Sequence, residues 1–220
     1  MTTRLPREAY TDPAWHQKEC QSLFMTSWMF LATVHDFKEP GDYRTMTSGS
    51  AGLVAVKGKD GDLRVFHNFC RHRGAELLDG KEGNCGSVLV CPYHRWTFGL
   101  DGELRGVPNE SECFPGLNKK ENGLNKASVG IFKGIVFVHP QESPDLSFDD
   151  WLASLPDVAW PFDLTDERLI GSDEIVYEMK CNWKVFYENA IDGYHLGYLH
   201  ENTLGKVFPK LNVWVEHGQH

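Results

Sequence analysis

The chain has 220 residues, of which 41% are hydrophobic and 24% charged, and its 22 basic and 31 acidic side chains give a formal net charge of −9. These proportions are typical of a globular protein, and the length suits one large domain or two small ones. No tract of clustered Lys and Arg stands out, which argues against non-specific nucleic-acid binding. Because the sequence shows neither a signal peptide nor an apolar run near the roughly 18 residues of a membrane span, it predicts a cytoplasmic protein without a membrane partner.

The first predicted element is a helix that begins at Pro13 and runs to about Trp28. From there to His139 the sequence has a β character, with short segments rich in Val, Ile, Phe and Trp that are separated by tight turns such as Asp101-Gly102. The predicted strands are 29–34, 53–57, 63–68, 88–90, 96–100 and 129–138. Many short strands with tight turns predict a small antiparallel sandwich or barrel.

The remainder of the chain has a different pattern. Residues 140–145 contain two prolines and form a candidate domain boundary. A short helix is predicted over 148–155, a strand over 170–183 and a longer helix over 184–200. The sequence therefore predicts a β region followed by a mixed region.

Four residues with metal-ligand chemistry lie in two matched segments. Cys70-Arg-His72 is followed, after residues 73–90, by Cys91-Pro-Tyr-His94. Each segment follows a predicted strand and offers one thiolate and one imidazole. A Rieske [2Fe–2S] centre needs this pair of pairs, because two His replace two Cys on one of its irons. The sequence therefore predicts that Cys70 and Cys91 hold one iron and that His72 and His94 hold the other.

The main competing interpretation is a structural zinc site with two Cys and two His. Zinc motifs usually place Cys near Cys and His near His, whereas here each Cys is interleaved with a His, which favours the iron–sulfur centre. Disulfides are unusual in a cytosolic protein. The other four cysteines, at positions 20, 85, 113 and 181, are therefore expected to be buried or half-buried thiols.

A second group of potential ligands lies in the predicted helix 184–200. Two His and a nearby carboxylate are typical of non-haem iron(II) sites. His195 and His200 are five residues apart, which on a regular helix separates them by about 140° around the axis, so they could not share a metal. Gly193 and Gly197 would let the helix bulge or break between them. Asp192 lies three residues before His195 and faces the same way.

Both groups resemble one family. Residues 28–139 resemble the Rieske domain of the α (terminal oxygenase) subunits of Rieske non-haem iron ring-hydroxylating oxygenases, and the run from Cys91 to Phe98 is close to the family's usual second loop. Respiratory Rieske proteins carry an extra Cys in each loop, where this chain has Ala75 and Tyr93. The resemblance therefore implies a potential at the low end of the range of roughly −150 to +300 mV. The downstream segment carries the pattern of the family's mononuclear-iron motif: Asn189, Asp192, Tyr194, His195 and His200.

The resemblance implies a role for each residue of that motif. His195 and His200 would bind Fe(II). Asp192 would be an electron bridge that hydrogen-bonds His195 and a cluster histidine of a neighbouring subunit, and Asn189 and Tyr194 would shape the site. The family's third ligand is an Asp far downstream, and the acidic candidates that follow His200 here, Glu201 and Glu216, fit that role poorly. The third carboxylate is therefore not expected in this chain, which resembles a family member truncated after the N-terminal part of its catalytic domain.

The resemblance also implies the fold and its division. The expected class is α+β, with an antiparallel β Rieske domain and the first part of an α+β helix-grip (START-like) catalytic domain. The expected divisions are residues 1–27 as an N-terminal helix packing on the catalytic domain, 28–140 as the Rieske domain and 141–220 as the start of the mononuclear-iron domain.

The implied function is that of an oxygenase component. It would use O₂ and electrons that pass from NAD(P)H through a reductase, with or without a ferredoxin. The reaction would hydroxylate or oxidatively demethylate an organic substrate, which is expected to be aromatic. A homotrimer, or three α with three β subunits, is implied because one subunit's cluster must serve the next subunit's iron. Arg71, Arg73 and Arg95 flank the ligands and suit an acidic redox partner. The alternative is a Rieske ferredoxin, an electron carrier without its own substrate, which leaves residues 141–220 unexplained.

Overall fold

The computed structural model describes residues 5–154, 163–166, 168–169 and 176–207. The chain divides into two compact units, one formed by residues 18–170 and one that joins residues 1–17 to residues 171–220. The helices are α1 (Glu8–Thr11), α2 (Pro13–Glu19), α3 (Glu110–Cys113), α4 (Phe148–Ser154), α5 (Trp183–Ile191), α6 (Leu196–Leu199) and α7 (Leu204–Val207). The strands are β1 (Met29–Thr33), β2 (Asp42–Ser48), β3 (Ala51–Lys57), β4 (Leu63–His67), β5 (Glu82–Asn84), β6 (Val88–Val90), β7 (Thr97–Gly99), β8 (Leu104–Gly106), β9 (Lys126–Phe132) and β10 (Ile135–His139).

The unit of residues 18–170 is built on two antiparallel sheets. The larger sheet has seven strands in the order β1-β10-β9-β4-β3-β2-β5, and the smaller has three in the order β6-β7-β8. Each hydrogen-bonded pair of these strands is antiparallel. Together with the helices, this confirms the predicted α+β class and the antiparallel β region.

The central strand β3 is buried on both of its faces. Its side chains alternate between two cores, as the twofold period of a strand requires. Leu53 and Ala55 pack in one core, and Val54 and Val56 pack in the other. The second of these cores also contains the buried thiols of Cys70 and Cys91. Two of the predicted ligands therefore lie in a buried core of this unit.

The turn at Gly102 is confirmed and is sterically demanding. The Gly102 N–H donates to the Gly99 carbonyl at 2.9 Å, and Gly102 adopts a φ of +83°. A Cβ at this position would lie 2.4 Å from the ring of Phe66, which is only 1% exposed. Only glycine fits here, because the backbone is left-handed and the buried ring has no room to move.

Some predicted element bounds in this unit are wrong. The predicted strand 129–138 belongs to a hairpin of β9 and β10, whose two-residue turn places Lys133 and Gly134 at φ values of +47° and +82°. The predicted helix 13–28 ends earlier, because α2 stops at Glu19 and a π-helical turn, Cys20–Phe24, follows it. Strands β2, β5 and β8 were not predicted.

Three predictions further along also need correction. Residues 176–182 are not a strand, and residues 170–175 of that predicted strand lie outside the described residues. The predicted helix 184–200 is divided into α5 and α6, with a break at residues 192–195. All six cysteines are free thiols, but Cys113 and Cys181 are exposed rather than buried, so the expectation for these two was wrong.

In the other unit, α1 contacts α5 through one tyrosine. The Tyr10 hydroxyl donates to Glu188 Oε1 at 2.5 Å, and the Lys184 ammonium lies 5.5 Å from the centre of the Tyr10 ring. Asn182 caps α5 by accepting from the Lys184 N–H at 3.1 Å. No helix among the described residues is long and apolar enough to cross a membrane.

Replacing Gly102 by alanine is expected to destabilise the protein by about 3 kcal/mol. About 1–2 kcal/mol comes from the left-handed backbone, and the collision with Phe66 adds a further 1–3 kcal/mol, roughly the cost of overpacking a core. Gly61→Ala is the matched control, because Gly61 closes a similar turn at a φ of +91° with open space around it. In urea unfolding, Gly61→Ala should lose only the part of the free energy of unfolding that comes from the left-handed backbone. Equal losses for the two variants would contradict this account.

Candidate metal centres

The first ligand loop, residues 70–75, follows β4 and is closed by two backbone hydrogen bonds. The Cys70 N–H donates to the Ala75 carbonyl at 2.8 Å, and the Gly74 N–H donates to the Cys70 carbonyl at 2.9 Å. Gly74 has a φ of +71°, which lets the chain reverse direction. His72 lies between these closing contacts.

The second ligand loop, residues 91–96, joins β6 to β7 and repeats this pattern. The Cys91 N–H donates to the Trp96 carbonyl at 2.8 Å, and the Arg95 N–H donates to the Cys91 carbonyl at 3.1 Å. Arg95 takes the position that Gly74 holds in the first loop and has a φ of +59°, although this costs a non-glycine residue about 1 kcal/mol. The two loops are therefore variants of one turn, and each turn carries one Cys and one His.

The two sulfur atoms meet in the core. Cys70 and Cys91 are 2% and 1% exposed, and their thiols are neighbours in the buried core. Burial raises the pKa of the Cys70 thiol to about 11, and the neighbouring Cys91 thiol adds to this rise. The backbone N–H groups of His72 and Arg73 act in the opposite direction, because they stabilise the Cys70 thiolate. A metal cation would supply the remaining stabilisation that two thiolates need at this place.

The two imidazoles also lie together. The ring centroids of His72 and His94 are 4.6 Å apart, with the rings inclined at 65°. Nδ1 of His72 is buried and has no hydrogen-bond partner. Burial lowers the pKa of His72, and the charges of His94 and Arg73 lower it further, which favours the neutral ring. A buried neutral nitrogen without a partner is costly unless a metal takes its lone pair.

This donor set fits a two-metal cluster better than a single zinc ion. A tetrahedral zinc site draws all four side chains to one point. Within the part of the chain that the structure describes, no group of three or more His, Cys, Asp or Glu side chains is arranged to hold one metal ion. In a Rieske centre each iron takes only two protein ligands, either two Cys or two His, so the separate thiol and imidazole pairs suit it.

The two imidazoles have different aromatic neighbours. His72 is stacked on Trp96, with ring centroids 4.9 Å apart and an 8° angle between the planes, and Phe114 meets it edge-on at 5.4 Å. His94 contacts Tyr93, at 3.8 Å between centroids, and Tyr93 is 64% exposed. Phe114 was not predicted as part of this site, since nothing in its local sequence pattern distinguishes it from other apolar residues.

Asn68 holds the two ends of the first loop together. It is 4% exposed, and its amide Nδ2 donates to the Leu78 carbonyl at 2.7 Å and to Glu76 at 3.2 Å. Its Oδ1 accepts from the Leu78 N–H at 3.1 Å. Asn68 therefore ties the end of β4 to the segment that follows the loop.

The arginines of the two ligand loops differ in their ion pairs from other arginines in the unit of residues 18–170. Arg44, Arg64 and Arg105 each form ion pairs with carboxylates. The exposed Arg71, Arg73 and Arg95 have no ion-pair partner among the described residues. Three unpaired positive charges thus lie in the ligand loops of a chain whose net charge is −9.

The second candidate centre begins where α5 ends. Asp192 follows the last helical residue in an extended conformation, and its carboxylate accepts from the Tyr194 N–H at 2.8 Å and from His195 Nδ1 at 3.2 Å. The Tyr194 N–H and then the His195 ring lower the pKa of Asp192, so this carboxylate is ionised. An ionised carboxylate can only accept, which places the proton on Nδ1 of His195 and leaves Nε2 to bind a metal.

The helix break brings the two histidines together. His195 and His200 flank the single turn of α6, and their ring centroids are 5.3 Å apart. A shared metal site requires such a break, since a regular helix would separate the two rings. Two imidazoles at this distance, one of them oriented by a carboxylate, suit part of a non-haem iron site.

The other predicted residues lie near these histidines in the sequence. Asn189 is exposed on the last turn of α5, and Tyr194 is 69% exposed and contacts the ring of Tyr198. The Glu201 carboxylate accepts from Asn202. Glu216 lies outside the described residues.

Comparison with known families assigns both regions. Residues 27–126 match the Rieske [2Fe-2S] domain, and residues 167–219 match the catalytic domain of the ring hydroxylating alpha subunit. The chain belongs to the α-subunit family of the Rieske ring-hydroxylating oxygenases. This α-subunit chain therefore contains a Rieske [2Fe–2S] domain, followed by sequence from the domain that holds the mononuclear iron in this family.

Curated relatives of this α-subunit chain include two types of oxygenase. It is 32% identical to the glycine betaine monooxygenase oxygenase subunit of Chromohalobacter salexigens, an alignment that covers 92% of this chain and 44% of the relative. It is 36% identical to the chlorobenzene dioxygenase subunit alpha of a Cupriavidus species, over 84% of this chain and 42% of the relative. The chain thus spans less than half the length of these relatives.

Solved structures give the same result. A quaternary ammonium Rieske monooxygenase in its apo form matches with a TM-score of 0.74 and 29% identity, over 90% of this chain and 57% of the other. Naphthalene 1,2-dioxygenase from a Rhodococcus species, bound to indole, matches with a TM-score of 0.70 and 28% identity, over 90% of this chain and 45% of the other.

Asn68→Ala is expected to lower the free energy of unfolding by about 2–3 kcal/mol, because it leaves the half-buried N–H and carbonyl of Leu78 without partners. Asn84→Ala is the matched control: Asn84 also makes three hydrogen bonds, but it is exposed, so water can replace them at a cost of about 1 kcal/mol or less. Urea unfolding measures both. If the two losses were equal, Asn68 would not have the proposed part in fixing the loop.

Proposed function

We propose that this chain is the N-terminal part of the oxygenase component of a Rieske non-haem iron system. It would use O₂ and electrons that pass from NAD(P)H through a reductase to hydroxylate, or oxidatively demethylate, an organic substrate. The observation that carries this proposal is the presence of both constellations in one chain, the paired loops of residues 70–75 and 91–96 and the contact between His195 and His200. An electron carrier would need only the paired loops that hold the cluster.

We assign the cluster ligands from the donor pairs. Cys70 and Cys91 hold one iron, because their sulfurs are buried and adjacent. His72 and His94 hold the other, because their rings are adjacent and Nδ1 of His72 is buried without a partner. When bound, the cluster stores one electron at a time at a potential that neutral imidazole ligands raise.

We assign the mononuclear iron to His195 and His200, with the third, carboxylate ligand supplied from outside the described residues. Asp192 holds the proton on Nδ1 of His195 and fixes the orientation of the ring. Its side chain is still 51% exposed, so the carboxylate has lone pairs free for a further donor. Asn189 and Tyr194 are proposed to shape the site beside it.

The further donor to Asp192 is proposed to be a cluster histidine of a neighbouring subunit. His94 suits this role better than His72, because its neighbour Tyr93 is exposed whereas Trp96 and Phe114 enclose His72. A closed ring of subunits would provide this contact at every interface. The proposed assembly is therefore a homotrimer, or three α with three β subunits.

The electron donor is proposed to be an acidic protein, either the reductase or a ferredoxin. Arg71, Arg73 and Arg95 are exposed beside the ligand loops and have no ion-pair partner among the described residues. A local positive patch on an acidic protein orients an approaching acidic partner and raises the association rate.

The domain division follows the same assignment. We propose residues 28–140 as the Rieske domain, residues 141–220 as the start of the catalytic domain, and residues 1–27 as a segment that packs on the catalytic domain. The hydrogen bond from Tyr10 to Glu188 supports the last of these. For the substrate we propose an aromatic compound, with a quaternary amine as the alternative, since the relatives include oxygenases named for each.

Cys91→Ala is expected to abolish the cluster. The purified chain should contain two irons and two inorganic sulfides and absorb visible light, whereas the variant should lose all three properties because one iron loses half of its thiolates. Cys113→Ala is the control, since Cys113 is an exposed thiol. Iron and sulfide analysis with the visible spectrum measures the outcome. A Cys91→Ala protein that keeps its iron and colour would refute the ligand assignment.

Asp192→Asn is expected to slow the electron transfer between the two sites in the full-length protein by roughly 10–100-fold, while both metal sites stay filled, because an amide replaces one of the two accepting oxygens by an NH₂ donor and so cannot accept from His195 and from the cluster histidine on separate oxygens. Single-turnover reoxidation of the reduced protein with substrate and O₂ measures this rate. The full-length wild type should contain three irons per subunit, whereas a carrier would contain two. Unchanged reoxidation in the variant would exclude the role proposed for Asp192.

A further inference from the structure

We propose that Phe114 is a positioning residue for the cluster, which excludes water from the His72 side and thereby lowers the reduction potential. Phe114 belongs to neither ligand loop. This inference rests on the assignment of His72 as an iron ligand.

The geometry places Phe114 against two rings at once. Its ring meets His72 at 5.4 Å and 90°, and it meets Trp96 at 5.4 Å and 82°. Trp96 is in turn stacked on the face of His72 at 4.9 Å. These three rings contact one another pairwise, so the His72 ring is enclosed on its Trp96 face and along the Phe114 edge.

The segment that carries Phe114 is held in place by its own contacts. The Phe114 N–H donates to the Glu110 carbonyl at 2.9 Å, and the Leu117 N–H donates to the Phe114 carbonyl at 3.1 Å. Lys119 forms an ion pair with the Glu110 carboxylate at 2.6 Å. Phe114 and Leu117 are half-buried against the core that contains Cys70 and Cys91. The ring is therefore presented by an ordered turn.

The charge of the cluster gives the direction of the effect. Two ferric ions, two sulfides, two thiolates and two neutral imidazoles sum to zero, and the added electron makes the reduced form −1. Excluding water penalises the charged form more than the neutral form. The added electron would reside on the iron with imidazole ligands, so the environment of His72 would bear on it directly. A dry His72 side therefore lowers the potential.

The same geometry predicts an effect on cluster retention. Water and chelators reach the histidine-bound iron through the edges of its imidazoles. On the His94 side the neighbour is Tyr93, whose ring is largely exposed, whereas on the His72 side the half-buried Phe114 and the buried Trp96 cover the ligand. Removing the Phe114 ring opens the better protected side.

The test measures the midpoint potential of the cluster-loaded chain for the wild type, Phe114→Ala and Phe114→Leu. Phe114→Ala should shift the potential to a more positive value, change the EPR g-values of the reduced form, and speed cluster loss to a chelator several-fold. Phe114→Leu keeps apolar bulk and should restore most of the wild-type potential. Should Phe114→Ala fail to fold, the test uses Phe114→Leu and Phe114→Ser. The midpoint potential should rise slightly in Phe114→Leu and more in Phe114→Ser.

Phe137→Ala is the matched control. Phe137 is half-buried and packs against the rings of Phe148 and Trp151, so its loss should reduce stability without moving the potential. A potential unchanged in every Phe114 variant, or shifted equally by Phe137→Ala, would overturn the inference while leaving the proposed function intact. A wild-type chain that binds no cluster would instead refute the ligand assignment itself.

Discussion

The structure depends on a buried set of sulfur and nitrogen donors that a bound metal centre would stabilise. Two thiols and one imidazole nitrogen lie where water does not reach them, and the nitrogen has no hydrogen-bond partner. His72 Nδ1 loses its hydrogen bonds with water on folding, which costs stability unless its lone pair binds a cation, and a bound cation would also let the two buried thiols ionise. The surrounding sheets, the repeated turn of the two loops and the Asn68 contacts all hold this donor set in place.

The second candidate centre is formed differently from the first. Its two histidines are brought together by a break in a helix, not by burial in a core. A continuous helix would separate His195 and His200, and the chain stops α5 at Ile191 and resumes with the single turn of α6. The Asp192 carboxylate accepts the Tyr194 N–H just beyond the end of the helix and also orients His195. One side chain thus stabilises the break and orients His195, the proposed iron ligand.

Much of the ligand pattern could be read from the sequence, because it depends on local spacing. Cys and His at short intervals after strands, and a turn at Gly102, are properties of a few adjacent residues. The hairpin of β9 and β10 was missed because the apolar run continues on both sides of its turn and Lys133 takes the left-handed conformation that usually marks Asn or Gly. Phe114 was missed because its role depends on Trp96 and His72, which no local pattern connects to it.

The measurement that tests the central claim most directly is pulsed EPR of the chemically reduced chain, with detection of nitrogen hyperfine coupling. If His72 and His94 bind the same iron, the spectrum should contain two strongly coupled histidine nitrogens and the rhombic g-tensor of an asymmetric cluster. A signal without nitrogen coupling, as an all-thiolate cluster gives, or an EPR-silent protein that contains only zinc, would contradict the account.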